Sequence, residues 1–412
     1  MADAAAGRAG AASGVIRSSS AALSTKASPL YIPSLDGIRA FAVMLVFAAH
    51  AVSIAGAAPR LKGVVPGEFG VTVFFFLSGY LITTLLRMEH AKTGRVSLRA
   101  FYLRRVLRIF PPLYLVLFAT TVLTLIHPVP NLRITLDGVL AQATYLTNYY
   151  IVVNGWWQGH APGTWIFWSL AVEEHFYLLF PLLYLVLLRR LPSRRRQALF
   201  LAGICAAVLA WRFVLVHAFG ADKDRVYVAT DTRIDSIMFG CILGVFANPM
   251  LDRTTYSDRW WKYVWVPLAL LGLLISFVVK SSGFQWVFAY SLQGVCLFPL
   301  FIAAVRYPNW GPFQLLNLGW VKFVGVVSYS IYLMHPAVLW AMASSVDTSG
   351  YIAYVVAGLA LAVTLGLAYG IYQVVEKPAG RLRRRLSKVD PPKQQHEPGR
   401  TPSLPLRPQA EG

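Results

Sequence analysis

Residues 35–50 read LDGIRAFAVMLVFAAH: an acid and a base, Asp36 and Arg39, followed by an apolar run that closes on His50. Residues 168–183, WSLAVEEHFYLLFPLL, carry Glu173 and Glu174 inside a second apolar run. Both belong to stretches near the roughly 20 residues that a helix needs to cross the hydrocarbon of a bilayer. A charged side chain at that depth costs roughly 2.5–3.5 kcal/mol even on lenient insertion scales, so such groups mark functional sites by default. The pattern predicts a catalyst embedded in a membrane.

Composition points the same way. Hydrophobic residues make up 57% of the 412 and charged residues only 14%, with a mean hydropathy of +0.55. That balance excludes an ordinary water-soluble globule. Ten apolar stretches run at about 37–56, 70–86, 109–126, 167–188, 199–217, 233–247, 264–279, 284–305, 323–343 and 351–375. Residues 139–153 are too interrupted for a span and read as an interfacial or re-entrant piece. Unbroken apolar runs, without the alternation of a barrel, require helices, because backbone polar groups in hydrocarbon must be satisfied within the segment.

Basic residues fall in alternate loops. Arg87, Lys92, Arg95, Arg99, Arg104, Arg105 and Arg108 follow the second stretch, and Arg189, Arg190, Arg194, Arg195 and Arg196 the fourth. Arg253, Arg259 and Lys262 follow the sixth, and Lys377, Arg381, Arg383, Arg384 and Arg385 the tenth, whereas the long 127–166 loop holds only Arg133. Under the positive-inside rule this predicts an all-α, polytopic integral membrane protein with ten transmembrane helices and both termini cytoplasmic. The net charge of +20 then serves membrane lipids of the anionic inner leaflet, not nucleic acid.

The expected organisation is a disordered, Ala/Ser/Gly-rich cytoplasmic segment over 1–30, a membrane domain over 31–376, and a disordered basic, Pro-rich cytoplasmic tail over 377–412. No apolar core precedes Tyr31, so the first span, and not a cleaved signal peptide, is expected to target the chain. Cys205, Cys241 and Cys296 form no CxxC pair, and no metal site is expected. Glycine-rich phosphate loops, GxSxG and HExxH are also missing.

The candidate chemistry divides between two levels. His50 lies eleven residues beyond Arg39, roughly 17 Å along a helix axis. A neutral imidazole there suits a general base that takes a hydroxyl proton, or equally a satisfied core histidine. Glu173 could orient His50, hold a sugar hydroxyl, or partner Arg233. His335, in the ninth stretch, is expected at a similar depth to His50, as a proton-handling group or as a packing residue beside Pro336. At the inner face Arg104, Arg105 and Arg108 could grip phosphates, with Arg104 and Arg108 four apart on one face, or simply anchor the chain. Asp231, Arg233 and Asp235 at the mouth of the sixth stretch suit hydrogen bonding to a polyhydroxyl ligand or a local salt-bridge cap. Ser78, before Gly79, reads as a close helix contact more readily than as a nucleophile.

Six stretches in order, LDGIRAFAVMLVFAAH, GVTVFFFLSGYLITTLL, RRVLRIFPPLYL, WSLAVEEHFYLLFPLL, DTRIDSIMFG and VGVVSYSIYLMHP, cover most of the chain from about residue 33 to 376. Together they resemble the acyltransferase 3 family of integral membrane O-acyltransferases. The resemblance implies ten core helices, an acyl-CoA donor, usually acetyl-CoA, bound from the cytoplasm, and a hydroxyl acceptor on a polysaccharide, lipopolysaccharide, glycolipid or glycosylated small molecule. It implies His50 as the catalytic histidine and Arg39, Arg104 and Arg108 as donor-side basic residues. Glu173, Arg233 and His335 would serve the acceptor or the proton, in a bacterial inner membrane. His175 stands where the family often has Gln, and no hydrolase-like domain follows the tenth stretch, so a relay through one is expected to need another protein. A proton-coupled exporter of a sugar or lipid-linked glycan remains the alternative reading, although the chain lacks the internal repeat that such transporters tend to carry.

Overall fold

The computed structural model describes residues 33–386 except 59, 61–62, 130–131 and 253–256. The N-terminal segment expected to be disordered, the tail from residue 387 and Arg253 lie outside the described residues.

The chain forms helices α1 (Pro33–Ile54), α2 (Gly67–Thr93), α3 (Leu98–Ile126), α4 (Leu136–Ala143), α5 (Thr147–Asn154), α6 (Phe167–Arg190), α7 (Arg194–His217), α8 (Lys223–Val228) and α9 (Thr230–Val245). Then α10 (Asp258–Trp260) runs through a π-helical turn into α11 (Val266–Val278), followed by α12 (Ala289–Arg306), α13 (Gly319–Val326), α14 (Ser328–Ala343), α15 (Ile352–Ile371) and α16 (Lys377–Leu386). Among the described residues there is no β-strand.

Eight helices among the described residues are long and apolar enough to cross a membrane, and α13 with α14, bent by 73° at their junction, form a ninth if they count as one span. On α3, Phe118 is 69% exposed and Leu125 63%, a belt of large apolar side chains that water would not tolerate and lipid would. The stretch at 233–247, the short one among the ten, forms α9, 16 residues long, about 24 Å. It packs between α2, α7 and α12, and from Thr232 to Val245 only Ile234 and Ile242 are not fully buried. A helix shielded by other helices has its ends met by protein, so it need not match the thickness of hydrocarbon.

Small residues make that burial possible. A Cβ on Gly79 would overlap the Ile237 carbonyl, one on Gly240 the Phe76 carbonyl, and one on Gly244 the Thr83 side chain. Gly240 and Gly244 form a GxxxG face, which lets the α2 and α9 backbones approach more closely than larger residues allow.

Residues 139–153 are not a span: α4 and α5 are eight residues each, parted at Tyr145, whose φ is 58°. The tail expected to be disordered from 377 begins as a helix, α16, continuous with α15 through a π-helical turn at Tyr372–Glu376.

The basic loops meet at one end of the bundle. Arg87 from α2 and Arg194 from α7 both pair with Asp252, the latter at 2.8 Å, and Arg306 of α12 donates to the Asp252 carbonyl at 2.7 Å. Partial burial pushes the Asp252 carboxyl up, but the hydrogen bonds from Arg87 and from the Asn248 N–H, with the charges of Arg87 and Arg194, outweigh it and hold the group below its ordinary value. A carboxyl depressed in this way stabilises the fold above its unfolded pKa, near 4, and ceases to do so as pH falls through its folded pKa. Asp252→Asn is therefore expected to cost about 2 kcal/mol at neutral pH. The gap in thermal midpoint between wild type and variant in detergent should stay constant down to about pH 4 and close below it.

Candidate active site

A cavity of about 830 Å³ including its open mouth lies between α1, α2, α3, α6 and α14. Three cations, Arg39, Arg105 and Arg108, and two acids, Glu173 and Glu174, line it together with Ser78, Ser169, Tyr177 and Tyr332. A cluster of ionisable and hydroxyl groups inside an apolar bundle is the arrangement that membrane burial penalises unless it serves a purpose.

Each wall follows from local spacing. Ser169, Glu173 and Tyr177 are four residues apart on α6 and so share one helical face. On α2, Gly79 turns to α9, which leaves Ser78 facing α6: Ser78 Oγ donates to Glu173 Oε1 at 2.9 Å. The Tyr177 hydroxyl lies 3.0 Å from Glu173 Oε2, to which it donates, and 3.1 Å from Ser78 Oγ. Thus Ser78, weighed from the sequence as a contact residue or a nucleophile, is a hydrogen-bond partner of Glu173, and the helix contact belongs to Gly79. Of the roles open to Glu173, neither a hydrogen bond to His50 nor an ion pair with Arg233 is formed among the described residues. It faces the arginines' cavity instead.

Arg105 stacks over the Tyr177 ring, 4.8 Å from its centroid, and Arg39 pairs with Asp36 at 2.7 Å. Arg104 turns away, to Glu89 of α2 at 3.0 Å. Of the three expected arginines of this helix, Arg105 and Arg108 line the cavity and Arg104 does not. Both spacings share a helical face, and what each face meets, Glu89 for Arg104 and the cavity for Arg105 and Arg108, separates them. Tyr177 was not singled out from the sequence, although its i, i+4 relation to Glu173 was there to read, and Glu174 was marked only as a charge inside an apolar run. Glu174 Oε1 has no hydrogen-bond partner among the described residues.

The second level is an imidazole pair. His50 Nδ1 and His335 Nε2 lie 2.8 Å apart, with ring centroids 5.0 Å apart and planes 29° from parallel. His335 is completely buried and His50 half-buried. The shared depth expected for these two residues thus becomes direct contact between α1 and α14. Tyr332 joins the two levels: its hydroxyl meets Ser169 Oγ at 2.6 Å, and its carbonyl lies 2.9 Å from His335 Nδ1.

Residues 32–371 match the family model described as an acyltransferase domain, Acyl_transf_3. The chain belongs to the acyltransferase 3 family. It is 31% identical over 363 residues, 85% of its length, to O-acetyltransferase OatA of Staphylococcus aureus strain NCTC 8325 / PS 47. A putative O-acetyltransferase of S. aureus strain COL is 29% identical over 355 residues, 84% of this chain. The chain spans 57% of the length of each of these relatives. No solved structure gives a significant match.

In this family member the DTRID segment does not converge on one ligand. Asp231 accepts from Arg225 at 2.5 Å and from the Trp211 indole at 2.7 Å, the local cap that was one of its two sequence readings. Arg233 is buried over the Tyr290 ring, 3.7 Å from the centroid, and donates to Thr72 Oγ1 at 3.0 Å. Asp235 and Arg212, both with 0% exposure, pair at 2.8 Å. The guanidinium of Arg212 also donates to the carbonyls of Thr232 and Val287 and to Ser291 Oγ. Of the two readings open for Asp235, a polyhydroxyl ligand or a local salt bridge, the structure forms an ion pair, with Arg212, hidden in the apolar run of α7, as the partner. His175 Nδ1 meets Thr230 Oγ1 at 2.7 Å.

Removing one partner of a fully buried pair costs about 3–5 kcal/mol because the other charge is left unpaired. Asp235→Ala should accordingly lower the thermal midpoint of the purified protein sharply, while a variant that loses acyl transfer with an unchanged midpoint would return Asp235 to the acceptor site.

Proposed function

We propose that the chain is a multi-pass O-acyltransferase of the plasma (cell inner) membrane. It moves an acyl group, most simply acetyl, from cytoplasmic acyl-CoA to a hydroxyl of a carbohydrate-containing acceptor. The observation that carries this reading is the juxtaposition of a cation-lined cavity with an imidazole pair one level away, in a chain whose relatives are named O-acetyltransferases. The same basic end that gathers Arg87, Arg194 and Arg306 supports a cytoplasmic position for that face and for both termini.

Donor and acceptor then come from opposite sides. Phosphates of the CoA are drawn to the arginine side, where Arg105 and Arg108 supply charge-assisted hydrogen bonds. The flexible pantetheine arm carries the thioester along α1, from the level of Arg39 towards His50, about 17 Å of helix. His50 takes the proton of the acceptor hydroxyl as its oxygen attacks the thioester carbonyl. The C–S bond breaks, the thiolate recovers the proton from His50, and the products are the ester and free CoA thiol. Glu173, held by Ser78 and Tyr177, balances the cations of the cavity. Membrane lipids seal the bundle, and acyl-CoA acts as substrate rather than as a resident cofactor.

Labelled acetyl from acetyl-CoA should enter base-labile esters of glycans or glycolipids in membranes that carry the wild-type chain. His50→Ala should reduce that rate by about 10²–10⁴ while insertion is unchanged, and full transfer by the variant would overturn the assignment. Arg105→Ala with Arg108→Ala should raise the apparent KM for acyl-CoA about tenfold or more. Arg104→Ala should leave it near the wild-type value, and an equal effect of all three would mean that these arginines act only as anchors.

A further inference from the structure

The order of protons in the imidazole pair follows from its surroundings. Pro336 has no N–H, so the carbonyl four residues before it, that of Tyr332, has no donor from the helix. His335 Nδ1 lies 2.9 Å from that carbonyl and 3.1 Å from the Ile331 carbonyl. A carbonyl can only accept, so this nitrogen carries the proton. A neutral imidazole has one donor and one acceptor nitrogen, which leaves a lone pair on His335 Nε2. That lone pair faces His50 Nδ1 at 2.8 Å, so His50 Nδ1 must be the donor and His50 Nε2 the bare nitrogen.

We propose that His335, with Pro336, is a positioning residue that fixes His50 as the Nδ1–H tautomer and so makes His50 Nε2 the base for the acceptor hydroxyl. This rests on the acyl-transfer reading above. The orienting group is a neutral imidazole anchored on a backbone carbonyl, with no carboxylate bonded to it among the described residues. When His50 accepts the hydroxyl proton at Nε2, its Nδ1–H strengthens its bond to the His335 lone pair, and the proton leaves again from Nε2 to the CoA thiolate. The outer loop holds this anchor in place. Gly163, with φ +81°, lies so close to Pro336 and Ala337 that a side chain there would overlap their backbone.

The test uses the full chain in lipid. Acyl transfer is measured with acetyl-CoA for wild type, His335→Gln and His335→Ala, and the ring nitrogens are read by ¹⁵N-histidine magnetic resonance, with His50→Gln locating the His50 signals. A glutamine carbonyl can accept from His50 Nδ1, so His335→Gln is expected to keep kcat within about tenfold, whereas His335→Ala loses about 10² or more in kcat at unchanged KM. Wild type should show His50 protonated at Nδ1 and bare at Nε2, and His335→Ala should populate the opposite tautomer. A wild-type His50 protonated at Nε2 would overturn the proposal, as would kcat losses in the glutamine and alanine variants that are equal. If wild type transfers no acyl group, the acyl-transfer reading fails, and the nitrogen signals still decide whether His335 sets the tautomer.

Discussion

A charge taken into the apolar interior of a membrane bundle must find its partners there, and that requirement organises this molecule. Arg212 spends its donors on Asp235, Ser291 and two carbonyls, which ties α7, α9 and α12 together. Arg39 is held by Asp36, and Glu173 by Ser78 and Tyr177. Because the cost of an orphaned charge there exceeds that of most packing defects, the contacts of Arg212 and of Glu173 with Ser78, which cross between helices, fix which helices are neighbours, while Arg39 and Asp36 pair within α1. The apolar surface, by contrast, tolerates many arrangements against lipid.

Close packing supplies the second condition. The glycine contact between α2 and α9 brings the backbones near enough that Ser78, one position along, reaches α6. The break between α13 and α14 has a comparable effect at the other level, because α14 presents Tyr332 to the cavity and His335 to α1. Cavity and imidazoles are therefore parts of one site built from five helices.

This division suits a reaction whose substrates differ in polarity and side of approach. In the proposed reaction the cavity with three guanidinium groups would attract the polyanionic donor, while the imidazole pair would handle a proton without needing a counter-charge. The family resemblance and the geometry point to the same residues for His50, Arg39, Arg108 and Glu173. They part at Arg104, whose partner is Glu89; Asp235, a candidate on the residues alone, pairs with Arg212.

The sequence by itself determined the environment, the helical class and most of the spans, because hydropathy over a window of membrane thickness is a local property. It also marked His50, His335 and Glu173, since an ionisable group in an apolar run stands out regardless of its neighbours. The His-Pro pair even encoded its own anchor, as the missing N–H of Pro336 frees a carbonyl within the same turn. Only the tertiary structure decided which of Arg104 and Arg105 faces the cavity, that α9 is a short shielded helix, and that Asp235 belongs to Arg212. Those outcomes depend on contacts between residues far apart in the chain, and helical periodicity says which residues share a face without saying what that face meets.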